Sequence, residues 1–95
     1  MFLGSYHFDG ELDVLVPAYQ RLLAGYPPDS IELHVCVRRD GGLSVFDACP
    51  TADVFHEFSR SVEFRAAIEA AGLPVPRVEA LGEIQAAFLR APIQA

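Results

Sequence analysis

Ile31-Glu32-Leu33-His34-Val35-Cys36-Val37-Arg38, then Arg39-Asp40-Gly41-Gly42, then Leu43-Ser44-Val45-Phe46-Asp47-Ala48, reads as two alternating runs hinged on glycine. Asp-Gly-Gly between such runs predicts a β-hairpin, because the turn needs positive φ and glycine supplies it without steric cost. A two-residue loop at Asp40-Gly41 and a four-residue loop from Arg39 to Gly42 give the same register. That register sets His34 across from Asp47, Cys36 across from Val45 and Arg38 across from Leu43 on one face. Leu33, Val35, Val37, Ser44, Phe46 and Ala48 share the other. An imidazole facing a carboxylate is the best chemical lead in the chain.

Outward from the hairpin, Met1 to Phe8 alternates weakly, with Phe2, Gly4, Tyr6 and Phe8 on one side, and Asp9-Gly10 ends that strand. Leu12, Leu15, Val16, Tyr19, Leu22 and Leu23 follow helical spacing, and Gly25 with Pro27-Pro28 stops the helix. Pro17 lacks an N–H, so the regular helix is expected to begin near Val14 to Val16 with Pro17 in its first turn. After the hairpin, Thr51 is placed to cap a second helix with Val54, Phe55, Phe58 and Val62 on its apolar face. Phe64, Ile68 and Ala71 continue the stripe two residues out of phase, which calls for a kink or short break around Arg60 to Glu63. Ala71-Gly72-Leu73-Pro74 ends the helix. Val78 to Ile84 reads as a last strand, and Gln85 to Ala95 as an apolar-tinged tail able to cross to a partner.

The order is β-α-β-β-α-β, the ferredoxin-like plan of the α+β class: one antiparallel sheet, ordered 4-1-3-2, with both helices on one face. All 95 residues form a single domain (1–95), near the size where one core is only marginally sufficient. With 52% hydrophobic residues and an uncovered sheet face, a homodimer joined through the sheets is expected. A net charge of −6, with seven basic residues spread along the chain, argues against nucleic acid. No apolar run reaches the length of a membrane span and the N-terminus lacks a signal-peptide plan, so no membrane partner and a cytoplasmic address are expected. Cys36 and Cys49 lie about 13 Å apart along the hairpin at ordinary strand rise and read as reduced, buried thiols.

The whole chain, and particularly Leu33-His34-Val35 through Asp40-Gly41-Gly42-Leu43 to Phe46-Asp47-Ala48-Cys49-Pro50-Thr51 and Phe55-His56-Glu57-Phe58, resembles small actinobacterial members of the dimeric α/β-barrel superfamily. That superfamily includes antibiotic biosynthesis monooxygenases, muconolactone isomerase and several polyketide cyclases. The resemblance implies two sheets facing each other across a homodimer, with a small-molecule cavity in each subunit between sheet and helices. His34, Gly42, Asp47 and Thr51 stand where related sequences carry histidine, glycine, aspartate and serine. Cys49 stands where they carry tryptophan, so no tryptophan-dependent chemistry is carried over.

The candidate catalytic residues are His34, as base or polariser, and Asp47, as its orienter. The plain alternative is a cross-strand hydrogen bond that satisfies two half-buried polar groups. His7 on the first strand and Tyr19 on the first helix are the candidate ligand contacts. Tyr6, Tyr19 and Tyr26 are suited to hydrogen-bond a phenolic or quinone-like ligand, although core packing explains any one of them. His7, His34 and Asp47 could hold a metal if they shared a face, but no ligand pair has tight local spacing, so no metal is expected. His56, flanked by Asp53 and Arg60, is expected on a solvated helix face. Cys36 lies about 7 Å from His34 along a strand, too far for thiolate activation. The expected partner is a small hydrophobic or aromatic molecule. The expected function is a monooxygenase-like or cyclase/isomerase activity on an aromatic or polyketide-like compound with no cofactor, or else non-catalytic binding by the same fold.

Overall fold

The computed structural model describes residues 1–26 and 32–93; the predicted helix stop at Pro27-Pro28, the first residue of the predicted hairpin, Ile31, and the end of the tail at residues 94–95 lie outside them. The elements run β1 (Phe2–Asp9), α1 (Leu12–Ala24), β2 (His34–Arg39), β3 (Gly42–Cys49), α2 (Ala52–Ser59), α3 (Val62–Ala71) and β4 (Arg77–Glu83). The strands form one antiparallel sheet in the order β2-β3-β1-β4. Read from the β4 edge, that order is the expected 4-1-3-2.

The hairpin has the predicted register, with His34 opposite Asp47, Cys36 opposite Val45 and Arg38 opposite Leu43. Asp40 and Gly41 form its loop. Gly41 has φ +85° and, among the described residues, no non-glycine residue has positive φ, so only the second loop position uses the left-handed region. Gly42 has a different job. A Cβ there would collide with the Phe8 carbonyl oxygen, so the close approach of β3 to β1 depends on its missing side chain.

Two helical expectations need correction. α1 begins at Leu12, and Pro17 lies inside it rather than in a first turn starting near Val14. Asp13, whose carbonyl Pro17 leaves without a donor, and Pro17 itself are both exposed, so water can take the free carbonyl. The kink or short break expected around Arg60 to Glu63 is a break, so the second predicted helix is two helices and the count is three instead of two. α2 ends at Ser59 with Arg60 as its C-cap, and the Ser61 side chain both accepts from Phe64 N (3.1 Å) and donates to Phe58 O (2.7 Å), closing one helix and capping the next. The break brings the two out-of-phase apolar stripes onto one core. Thr51 caps α2 through Val54 N, as expected, and Gly72 ends α3 in the left-handed conformation with φ +86°.

The even-numbered residues of β1 meet the helices: Tyr6 and Phe8 are buried, and Gly4 lets the Phe55 ring of α2 lie against the strand. Leu15, Ala18, Leu43, Val45, Phe64 and Ile68 complete the core. Val35 and Val37, 42% and 41% exposed, stand on the opposite, open face with Phe46. That face is not uniformly apolar. Ser5 and Ser44 are buried there, and His7 bonds to both hydroxyls, Nε2 to Ser5 Oγ (3.0 Å) and Nδ1 to Ser44 Oγ (2.8 Å). Arg39 Nε donates to Ser44 Oγ, and Arg39 and Arg77 both donate to Asp9. The Asp9 carboxyl is held down to about 2, chiefly by its bonds to Arg77 and Arg39. Among the described residues, no helix is long and apolar enough to cross a membrane.

Candidate functional site

The helix-facing side of the hairpin presents His34 and Asp47 toward α1. His34 Nδ1 donates to Asp47 Oδ1 at 2.5 Å, and the Tyr19 hydroxyl meets His34 Nε2 at 2.5 Å. A carboxylate can only accept, so Nδ1 carries the proton; Nε2 of the neutral imidazole is then the acceptor and Tyr19 the donor. The Tyr19 and His34 ring planes differ by 4° with centroids 5.8 Å apart, so the hydroxyl meets the imidazole close to edge-on. The result is a continuous chain, Tyr19 to His34 to Asp47, drawn from α1, β2 and β3. Two of its members come from the hairpin register. The third depends on the phase of α1, which turns Tyr19 onto the sheet.

This chain lies in the wall of a cavity of about 320 Å³ between the sheet and the helices. Its volume is at the low end for small-molecule sites, and its lining is mainly aromatic and aliphatic. All three tyrosines of the chain, Tyr6, Tyr19 and Tyr26, line it, together with Phe58 of α2 and Phe64 of α3. Burial pushes the Tyr6 phenol far above its usual range, followed by the charge of Asp47. Tyr19 is raised as far, by burial first, then by the neighbouring Cys36 thiol and by Asp47. Tyr26 is raised by burial and by Asp47. All three are therefore neutral hydrogen-bond donors across the physiological range.

The thiols at the site are poor nucleophiles. Burial raises Cys36 most, Tyr19 opposes this through a hydrogen bond, and Asp47 adds to it; Cys49 is raised by burial and Asp47. Both are free and half-buried.

Of the four residues singled out from sequence, His34, Asp47 and Tyr19 come together and His7 does not. His7 has odd parity on β1, pairs with Ser44 and stands on the open face, where Nε2 also lies 3.2 Å from Glu79 Oε1. The sheet thus separates it from the cavity, and among the described residues no group of three metal-capable side chains assembles. His56 is half-buried rather than solvated, with its ring 6.3 Å from Phe2 and 5.5 Å from Phe55. Glu32, which lines the cavity just before β2, was not singled out; its place beside the strand that carries His34 was the available signal. Compared with known proteins, the chain matches no family model, no curated protein and no solved structure.

Proposed function

We propose that the chain is a ferredoxin-like subunit of a homodimeric α/β barrel that takes a small aromatic or polyketide-like molecule into this cavity and moves a proton on it, using its own side chains as acid and base. The observation that carries this reading is the Tyr19–His34–Asp47 chain set in the wall of a largely apolar cavity. A ligand hydroxyl that donates to the Tyr19 oxygen transfers its proton there as the Tyr19 proton passes to His34 Nε2. The ligand is left as an oxyanion whose one counter-charge is the imidazolium formed in the same transfer, held in place by Asp47. Such an oxyanion is the starting point for cyclase or isomerase chemistry. The half-exposed valines of the open face support sheet-to-sheet pairing.

Non-catalytic binding by the same cavity is the second reading. It is favoured by one observation: both imidazole nitrogens are already bonded inside the protein. Turnover of a panel of hydroxylated aromatic and polyketide-like compounds by His34→Ala, Asp47→Asn and the double variant separates the two. Catalysis predicts a loss of about 10²–10⁴-fold for His34→Ala, a smaller loss for Asp47→Asn, and a double variant no worse than His34→Ala alone. Full activity in a folded His34→Ala protein removes His34 from the mechanism.

A further inference from the structure

Resting on the reading of this cavity as a ligand site, we propose that its ligand is a cation: an aromatic or alicyclic compound carrying a protonated or quaternary amine. Among the described residues that line the cavity, the charged side chains are the carboxylates of Glu32 and Asp47, and none is basic. All seven basic residues of the chain are arginines, and those described lie elsewhere. With Tyr19 donating to Nε2, the resting imidazole carries only the Nδ1 proton that it gives to Asp47, and in that arrangement it adds no counter-charge for an incoming anion. A phosphate or carboxylate group entering here would meet two carboxylates and lose its hydration without a counter-charge.

A cation meets the opposite conditions. The rings of Tyr6, Tyr19, Tyr26, Phe58 and Phe64 line the space, and aromatic faces attract ammonium groups, most strongly where water is excluded. The Asp47 charge is felt across the cavity: it raises Tyr6 and Tyr26 and also the Cys49 thiol. The same field that disfavours phenolate and thiolate there favours a positive charge. The net charge of −6 draws cations toward the molecule as a whole.

Calorimetric titration with three probes of one shape tests this: benzyltrimethylammonium, its neutral isostere neopentylbenzene, and benzylphosphonate. The expected result is binding of the cation about tenfold or more tighter than the neutral isostere, with no binding of the phosphonate. Asp47→Asn is expected to shrink that preference to about twofold, and Glu32→Gln to narrow it. If Asp47→Asn does not fold, the wild-type comparison and the exposed Glu32→Gln variant still decide. Equal or tighter binding of neopentylbenzene overturns the cation and leaves the cavity as an apolar ligand site. Failure of all three probes to bind overturns both readings.

Discussion

Gly41 and Gly42 are neighbours in the turn sequence but fail for different reasons when substituted. Gly41 needs only its left-handed φ, so Gly41→Ala is expected to cost about 1 kcal/mol. Gly42 has the Phe8 backbone where a Cβ would go, and backbone gives way less readily than a side chain, so Gly42→Ala is expected to cost about 3 kcal/mol or more. Thermal melts of the two variants check the order; equal losses would show that β3 is free to move off β1. The same local logic decided what could be read of the site. The glycine turn pins β2 to β3, so the His34–Asp47 pair was legible. Alternation along β1 set His7 opposite Tyr6 and Phe8, but no short turn pins β1 to β3, so whether it shared a face with His34 was not legible. The contact between Tyr19 and His34 joins a helix to a strand across an intervening loop, and no spacing rule reports it.

Among the elements, the joint between α2 and α3 and the proline in α1 carry opposite predictions. Ser61→Ala removes the side chain that serves both helix ends, and Thr51→Ala removes the cap of α2; each is expected to lower stability by about 1 kcal/mol in denaturant unfolding. Pro17→Ala is expected to stabilise by about 1–2 kcal/mol, since an exposed interior position regains a backbone hydrogen bond at the cost of a more flexible unfolded chain. A destabilised Pro17→Ala protein would show that the proline ring packs usefully. The phase slip between Val62 and Phe64 was visible in the sequence, but a kink and a capped break leave the same apolar pattern. Only the hydroxyl of Ser61, bonded in both directions, separates them.

For the molecule as a whole, stability is expected to fall at both ends of the pH scale for identifiable reasons. Asp9 titrates lower in the folded chain than its usual 3.8, so its contribution is present above that value and is lost as pH falls toward about 2. Asp9→Asn should flatten that acid limb. Tyr6, Tyr19 and Tyr26 titrate higher in the folded chain, so their contribution is whole below the ordinary phenol value of about 10 and is lost as pH rises through their folded values. Unfolding curves measured across pH give both limbs; the raised Cys36 and Cys49 thiols begin the base limb near the ordinary thiol value of about 9, and a limb that does not steepen above about pH 10 would contradict the buried phenols. The proposed dimer is expected to bury at least about 1,200 Å² in total, and sedimentation that finds a stable monomer at micromolar concentration removes it. The open face was legible as uncovered. Its internal polar cluster was not, because Ser5, His7 and Ser44 meet only through the β1–β3 register.

The gathering of Tyr6, Tyr19 and Tyr26 around one cavity has an optical consequence. The chain has no tryptophan and no other tyrosine, so its near-ultraviolet emission comes almost wholly from these three rings. A compound that enters the cavity touches the fluorophores themselves. Quenching or a change in near-ultraviolet circular dichroism therefore reports occupancy without a label, and the protein can be screened against unlabelled chemical libraries by its own light.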